Sequence, residues 1–264
     1  QATMRNLLNE LNLNTVCQQA LCPNISECFS CGQATFLILG RECTRHCSFC
    51  NLEKSTRLMP PDCEEPMRVA EAVCRLGLRH VVITSPTRDD LPDGGASHYS
   101  VTVESIRRVS PDTKIELLVP DFAGSFHSLQ QVLKSVPDIL AHNVETVPRL
   151  YNVRKGADYR RSVALLFQAW KLSPEITTKS GIMLGLGESM DELRQVLEDL
   201  REAGCSFLSI GQYLAPSRQH KQVAEYILPD VFDKIRSEAL EMGFIHVESG
   251  PYVRSSYHAS SYMK

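Results

Sequence analysis

Short apolar runs bounded by turn residues recur along this chain, and each has the length and composition of a buried strand. They alternate with longer segments in which apolar residues return every three or four positions, the period of an amphipathic helix. The pattern predicts six strands: Ala34–Leu39, His80–Thr84, Lys114–Val119, Asp138–His142, Thr178–Leu184 and Phe207–Gln212.

Helices are predicted between these strands and at the amino terminus. Ser189-Met190-Asp191-Glu192 is a capping box that opens one of them, and Gly204 ends it. In another, Val163, Leu166, Phe167 and Trp170 form an apolar stripe that we expect to pack in the core. This second helix is predicted over Ser162–Lys171, and the remaining helical predictions are Met4–Leu13, Pro66–Leu76 and Asp230–Met242.

Six βα units of this kind predict a parallel sheet with helices outside it. The count fits an α/β fold of the open, partial (β/α)6 TIM-type barrel; a doubly wound sheet is the alternative, because strand order cannot be read from the sequence. In parallel barrels the chemistry gathers at the carboxyl ends of the strands. Polar or glycine-rich residues lie at or just beyond the ends of several predicted strands, namely Cys43–Cys50, Thr84, Asn143, Glu145 and Gly185–Glu188.

Composition narrows the function further. The chain has 264 residues, 43% of them hydrophobic, and a net charge of −3. Nothing in this balance suggests nucleic-acid binding, and no apolar run approaches the roughly 20 residues of a membrane span. We expect a cytoplasmic location, or an organellar matrix if a targeting segment has been removed.

Three of the ten cysteines lie in Arg41–Cys50 with the spacing C-x3-C-x2-C, as Cys43, Cys47 and Cys50. Three thiolates this close together in the sequence can ligate one soft metal centre. A 4Fe–4S cluster normally takes four cysteines, so three would leave one iron open for chemistry. A Cys3His zinc site with His46 is the alternative, although His46 stands directly beside Cys47 and would bind poorly together with it.

A second triplet, Cys17, Cys22 and Cys28, precedes the first with the spacing C-x4-C-x5-C. Pro23-Asn24 falls inside it and predicts a loop rather than a regular element. Two triplets indicate metal binding in a reducing compartment rather than a disulfide framework. Cys31, Cys63, Cys74 and Cys205 are isolated, and no role is predicted for them.

The spacing of Cys43, Cys47 and Cys50, with Phe49 before the last, resembles the radical S-adenosylmethionine (radical SAM) superfamily. Together with the first triplet, the chain resembles the lipoyl synthase family within it. The likeness runs almost end to end, departing near Cys31 and at Ser85-Pro86-Thr87. It is carried by Ala34–Gly40, Arg88–Gly95, His142–Tyr151, Lys179–Glu188 and Arg254–Ala259.

The resemblance implies two 4Fe–4S clusters and S-adenosylmethionine (SAM) as cofactors. Cys43, Cys47 and Cys50 would hold the cluster that cleaves SAM to a hydrogen-abstracting radical. Cys17, Cys22 and Cys28 would hold an auxiliary cluster, with Ser256, or alternatively Ser255, as its fourth ligand. The residues expected to contact SAM are Phe49, Ser85 with the Arg88–Asp90 group, Asn143, Glu145, Gly185 and Glu188. For Gly185–Glu188 a tight turn is an equally good interpretation.

The domain organisation implied is an auxiliary-cluster extension (1–33), a radical SAM barrel (34–248) and a carboxyl-terminal segment returning to the auxiliary cluster (249–264). The reaction implied is insertion of two sulfur atoms, at C6 and C8 of a protein-bound octanoyl-lysine, with the auxiliary cluster as sulfur donor. Such an enzyme is a sulfurtransferase of lipoate biosynthesis.

The partners implied are octanoylated lipoyl carrier domains of 2-oxoacid dehydrogenase complexes or the glycine cleavage carrier protein. A ferredoxin- or flavodoxin-type electron donor and an iron–sulfur carrier that rebuilds the cluster are also expected. A basic cluster of Arg154, Lys155, Arg160 and Arg161 could be a docking rim for an acidic carrier, or only a solvated face. Three rival functions stay open: another radical SAM sulfur-inserting enzyme, such as a biotin-synthase-like enzyme or a methylthiotransferase; an iron–sulfur electron carrier; and a zinc module.

Overall fold

The computed structural model describes residues 2–257 and 259, and His258 of the Arg254–Ala259 motif lies outside them. The chain divides into two compact units. The first consists of residues 1–45 and 51–139, and the second of residues 46–50 and 140–264. In both units, parallel strands alternate with helices.

In the first unit the strands lie in the order β1-β2-β5-β6. β1 is antiparallel to β2, whereas β2, β5 and β6 are mutually parallel. A separate parallel pair joins β3 to β4. The elements are α1 (Ala2–Glu10), β1 (Asn14–Thr15), α2 (Val16–Gln19), α3 (Ile25–Ser30), β2 (Thr35–Leu37), β3 (Glu42–Cys43), β4 (Glu53–Lys54), α4 (Glu65–Leu76), β5 (His80–Thr84), α5 (Ala96–Val109), β6 (Lys114–Leu118), a 3-10 turn (Phe122–Gly124) and α6 (Phe126–Lys134).

In the second unit the strand order is β7-β8-β9-β10. β8 is parallel to β9, and β9 is parallel to β10. The elements are β7 (Ile139–Ala141, of which the last two residues belong here), a 3-10 helix (Pro148–Val153), α7 (Tyr159–Leu172), β8 (Thr177–Leu184), α8 (Met190–Glu202), β9 (Phe207–Gln212), α9 (Pro229–Glu241) and β10 (His246–Gly250).

All six predicted strands are present, with ends that differ by a residue or two. The capping box at Ser189 and Glu192 forms as predicted, and α8 buries the apolar face of Leu193, Val196 and Leu200 in the core of the second unit. β10 was not predicted. Its sequence, His-Val-Glu-Ser-Gly, is mostly polar, and only Val247 of the strand is buried. The strand therefore lacks the apolar run from which the other strands were predicted.

The predicted core stripe of α7 is confirmed at Leu166, which is fully buried, and at Val163, which packs against the core, but it is wrong at its other two residues. Phe167 and Trp170 are 43% and 36% exposed, and Leu165 and Ala169 lie in the interior instead. Trp170 covers Gly204, where an added Cβ would come within 2.4 Å of the indole ring. The ammonium of Lys171 lies over both exposed rings, 4.3 Å from the Trp170 centroid, so the two aromatics form an outer surface of the helix.

The loop predicted around the first cysteine triplet is also wrong in part. Cys17 lies in the short helix α2 and Cys28 in α3, and only the segment containing Pro23 joins them without regular structure. Proline stops α2 from continuing into α3 but does not prevent a helix from starting two residues later. Within the described residues, no helix has the length and apolarity needed to cross a membrane.

Candidate metal and cofactor site

The loop that carries Cys43, Cys47 and Cys50 starts and ends at the small β3–β4 pair. Cys43 is in register with Lys54, and the amide of Ser55 donates to the Cys43 carbonyl at 3.2 Å. This pairing closes the base of residues 44–52, so the loop is anchored at both ends. Cys43 is buried in the first unit, where its sulfur accepts the amide N–H of Arg45 at 3.4 Å.

The chain enters this loop through Leu39, which adopts a left-handed conformation with φ +66°. Its amide donates to the buried carboxylate of Glu65 at 2.7 Å, and its carbonyl accepts from Nη1 of Arg88 at 2.9 Å. His98 Nε2 lies 2.8 Å from the same Glu65 oxygen. Both sides of this strained residue are therefore held by buried side chains.

Arg45 is buried and bridges two carboxylates that follow β5 and β6. Nε and Nη2 donate to Asp89 at 2.7 and 2.8 Å, and Nη2 also donates to Asp121 at 2.6 Å. Burial works to lower the pKa of Arg45, but the hydrogen bonds to Asp89 and Asp121 outweigh it, so the pKa is raised and the guanidinium stays charged. Neither Arg45 nor Asp121 was predicted from the sequence.

The segment after β5 is occupied by contacts within the first unit. Ser85 Oγ donates to the Pro86 carbonyl and accepts from the hydroxyl of Tyr99 at 3.0 Å. Arg88 is paired with Asp90 at 2.8 Å, and its side chain is almost fully buried. The Arg88–Asp90 group thus has a structural use, and a contact of Ser85 with SAM stays a prediction.

Cys47, Phe49 and Cys50 belong to the second unit. The amide of Ser48 donates to the Val153 carbonyl at 2.8 Å, and the Ser48 carbonyl accepts from the amide of Lys221 at 2.8 Å. These two bonds fix the turn between the two cysteines. Phe49 is half-buried.

Arg154 is a cation of the second unit that interacts electrostatically with Cys47. Its Nη1 donates to the Asn143 carbonyl at 2.9 Å and to the Tyr151 hydroxyl at 2.7 Å, and its guanidinium lies 5.4 Å from the Tyr151 ring centroid. Burial tends to lower the pKa of Arg154, yet its interactions with Tyr151, Glu145 and Cys47 raise it on balance. The prediction that Arg154 belongs to an exposed basic cluster is therefore wrong.

Asn143 and Glu145 come together after β7, as their positions in the sequence predicted. The amide of Asn143 donates to Glu145 at 3.1 Å and to Ser255 Oγ at 2.6 Å. Burial raises the pKa of Glu145, against the opposing effect of Arg154. Gly181 makes room for this cluster, because an added Cβ would lie 2.7 Å from Asn143 Oδ1.

Gly185–Glu188 forms a tight turn at the end of β8. The Glu188 carboxylate accepts the amides of Gly185 and Leu186. At Gly185, which has φ +95°, an added Cβ would lie 2.4 Å from the carbonyl oxygen of Glu225, so only glycine fits. The carbonyl of Glu225, in the same unit, is thus the group that approaches the Gly185 main chain closely. That Gly185 and Glu188 contact SAM stays a prediction.

Cys17, Cys22 and Cys28 lie near enough to one another in the first unit for their charges to interact. Burial, and then the charges of Cys17 and Cys22, raise the pKa of Cys28 to about 11. Burial also raises the pKa of Cys17, helped by the charge of Cys22. Cys31 adds a smaller effect on Cys28, so a fourth thiol stands near the triplet. Binding of a cation by thiolates relieves both the burial cost of their charges and their mutual repulsion.

In the part of the chain that the structure describes, no three His, Cys, Asp or Glu side chains are close enough to hold one metal ion. Each cysteine of a 4Fe–4S cluster ligates a different iron, so its ligands stand farther apart than those of a single ion. A zinc ion and a 4Fe–4S cluster therefore need different separations between their ligands.

Two solved structures share this fold. The Streptococcus suis protein SuiB, solved with S-adenosylmethionine bound, aligns with a TM-score of 0.64 at 11% identity, over 85% of this chain and 53% of that one. Methylornithine synthase aligns with a TM-score of 0.61 at 16% identity, over 81% and 63% of the two chains. At these identities the likeness establishes the fold, and it favours the predicted partial barrel over the doubly wound sheet.

Residues 37–211 match the radical SAM superfamily, so this chain is a radical SAM protein. It is 69% identical over 262 residues to the lipoyl synthase of Trichlorobacter lovleyi, which covers 99% of this chain and 93% of that one. It is 64% identical over 263 residues to the lipoyl synthase of Citrifermentans bemidjiense, with coverages of 100% and 90%. The chain belongs to the lipoyl synthase family. The prediction of a sulfurtransferase of the radical SAM type is confirmed, and the rival functions are set aside.

Proposed function

We propose that this chain inserts sulfur at C6 and C8 of an octanoyl chain that is amide-linked to a lysine of a carrier domain, forming the lipoyl group. The observation that supports the proposal is the electrostatic coupling of Cys17, Cys22 and Cys28, three thiols of a radical SAM protein that could serve as a second set of cluster ligands. An unactivated C–H bond is beyond any acid or base among the side chains, so the hard step must belong to the cofactors.

Cys43, Cys47 and Cys50 would hold one 4Fe–4S cluster and leave its fourth iron to SAM. When bound, the two cofactors supply a carbon radical that abstracts hydrogen, and the auxiliary cluster supplies the sulfur. The protein's own part is to orient the ligands and to exclude water. Burial of Cys43 and the fixed turn at Ser48 support that part of the proposal.

The auxiliary cluster would be held by Cys17, Cys22 and Cys28, with Ser256 as the fourth ligand. Ser255 is the alternative, and its hydroxyl accepts a 2.6 Å hydrogen bond from Asn143. An alkoxide suits a soft iron–sulfur site less well than a thiolate, so this iron would be the easiest to release. The division into segments 1–33, 34–248 and 249–264 remains part of this proposal.

SAM would be bound by groups that the second unit already assembles. Asn143 and Glu145 form a hydrogen-bonded polar pair beside the charge of Arg154, which suits the amino and carboxylate groups of SAM. Phe49 would meet the adenine. Ser85, Gly185 and Glu188 are proposed on position alone.

The decisive experiment measures iron and sulfide anaerobically, with Mössbauer spectra, in the wild type and in a Cys17/Cys22/Cys28→Ala variant. We expect about eight irons to fall to about four. SAM cleavage should survive in the variant, but no sulfur should be inserted. A wild type that holds only about four irons after full reconstitution would remove the auxiliary cluster and the sulfur-insertion mechanism with it.

The carrier would dock beside a groove of about 1060 Å³ in the second unit, which Lys155 and Arg160 line. Both side chains are exposed, so they can attract an acidic carrier. Lys155→Glu with Arg160→Glu should weaken carrier binding at low salt. The matched control is Arg218→Glu with Lys234→Glu, two exposed residues of the same unit. Equal binding by both variants would place the carrier elsewhere.

We further propose that carriers from 2-oxoacid dehydrogenase complexes or the glycine cleavage system are the substrates. A ferredoxin- or flavodoxin-type protein would supply electrons, and an iron–sulfur carrier would rebuild the auxiliary cluster. Ten free cysteines support a reducing, cytoplasmic setting.

A further inference from the structure

The loop between Cys43 and Cys47 contains a buried arginine whose charge is satisfied only by residues distant in sequence. Arg45 makes one hydrogen bond from Nε and two from Nη2, at 2.6 to 2.8 Å, to Asp89 and Asp121. Its side chain is 7% exposed and that of Asp121 is 0% exposed. Arginines in loops are usually solvated, so the burial of Arg45 needs a physical explanation.

The two carboxylates come from different places at the end of the sheet in the first unit. Asp89 follows β5 and Asp121 follows β6. Asp121 also accepts the amide of Ala123 at 3.1 Å, which fixes the carboxylate to its own turn. A guanidinium presents a rigid fork that holds two carboxylates in a defined orientation, which the ammonium of lysine cannot do.

The backbone around Arg45 transmits this orientation to the cluster ligand. The Arg45 amide points at Cys43 Sγ at 3.4 Å, and Thr44 donates to the Thr87 carbonyl through both its amide and its hydroxyl at 3.0 Å. Because Thr44 and Arg45 are both held by these contacts, they fix the orientation of the peptide that follows Cys43.

We propose that Arg45 is a positioning residue, which uses Asp89 and Asp121 as anchors to hold the cluster loop in its metal-accepting conformation. The inference rests on the proposed function, in which Cys43, Cys47 and Cys50 ligate the radical SAM cluster. Arg45 touches neither cluster nor substrate in this role. It lowers the conformational cost of bringing the ligands together when the cluster is built.

The test uses Arg45→Lys in the Cys17/Cys22/Cys28→Ala background, so that only the radical SAM cluster contributes signal. Loss of a group that orients a metal ligand typically costs 10–100-fold in metal affinity. We expect a chelator to remove iron about 10-fold faster from the Arg45→Lys variant. The electron paramagnetic resonance spectrum of the reduced, SAM-bound cluster should also shift.

Arg107→Lys is the matched control. Arg107 pairs with Asp138 in the same unit, half-buried, and makes no contact with the cluster loop. We expect it to lower thermal stability about as much as Arg45→Lys while leaving iron retention and the spectrum unchanged. Equal iron loss and identical spectra in the two variants would show that Arg45 is merely structural.

If Arg45→Lys does not fold, Asp121→Asn tests whether Arg45 positions the cluster loop. The amide oxygen still accepts from Ala123, so the turn is preserved, while the bond to Arg45 loses its charge. Faster iron loss in Asp121→Asn supports the inference, and unchanged loss overturns it. A parent protein that binds no cluster overturns the proposed function together with the inference, whereas a normal parent with unaffected variants overturns the inference alone.

Discussion

Glu65 offers the sharpest test of how the chain is directed into the cluster loop. This buried carboxylate of α4 accepts the amide of Leu39 at 2.7 Å and lies 2.8 Å from Nε2 of His98. Leu39 has φ +66° and belongs to the segment between β2 and the first cluster cysteine. We predict that Glu65→Ala releases this segment, because the left-handed conformation then loses one of its two holding contacts.

The magnitude follows from the groups left behind. Glu65→Ala strands the Leu39 amide and the His98 ring without their partner, and an unsatisfied buried polar group costs about 1–3 kcal/mol. We therefore expect a loss of about 2–5 kcal/mol in the free energy of unfolding. Glu65→Gln keeps an acceptor for the Leu39 amide and should lose about 1 kcal/mol.

The assay is urea unfolding of the cluster-free protein, together with hydrogen exchange at the Leu39 amide. A local loss of about 3 kcal/mol corresponds to exchange about 100-fold faster. The matched control is Glu71→Gln on the same helix. Glu71 makes an exposed ion pair with Arg75 at 3.1 Å, and such a pair contributes about 0.3–0.5 kcal/mol.

Glu65 does not hold this segment if the free energy of unfolding of Glu65→Ala lies within about 0.5 kcal/mol of that of the Glu71 control. The same conclusion follows if the Leu39 amide exchanges hydrogen at the wild-type rate. Either result would mean that Arg88, which holds the Leu39 carbonyl, is sufficient by itself to keep the entry to the loop in place.

Three further predictions concern other parts of the chain. Because the pKa of the Cys28 thiol is raised from 9.0 to about 11, its alkylation in the cluster-free protein should be about 100-fold slower at pH 8 than that of an ordinary cysteine and should accelerate as the pH rises from 9 to 11; a rate that levels off by pH 9 would contradict this. Val136 has φ +53° and is 57% exposed, so Val136→Gly should raise the free energy of unfolding by about 1 kcal/mol in urea titrations, and a loss of stability would argue against strain there. Ser256→Ala should abolish sulfur insertion while SAM cleavage continues, whereas Ser255→Ala should lose only about 1 kcal/mol of stability; the reverse pattern would make Ser255 the ligand.

The sequence was informative wherever a residue type and its spacing were sufficient by themselves. The six predicted strands appear because their apolar runs can be buried only inside a sheet, and Asn143 and Glu145 lie together because both follow β7. Such patterns are local. Nothing in them depends on a partner elsewhere in the chain.

Polar anchors were missed because their partners are far away in sequence. Arg45 meets Asp121 across 76 positions, and Leu39 meets Glu65 across 26. A single charged residue in a loop is ordinarily solvated, so the default interpretation is a surface one. Arg154 shows the same failure, since three neighbouring cations suggested an exposed cluster although its own guanidinium is buried against Tyr151.

Backbone strain could not be predicted from the sequence either, and two of the strained residues lie next to the candidate site. Leu39 and Glu145 have φ values of +66° and +67°, in a region that leucine and glutamate rarely adopt. Leu39 is fixed by Glu65 and Arg88, whereas Glu145 is held by backbone bonds to Gly181 and Met183. Each follows a strand and leads toward residues predicted to bind the cluster or SAM. Strain of this kind persists only where the surroundings over-determine it, so the contacts of Leu39 and Glu145 hold the backbone of each unit in place next to residues of the candidate site.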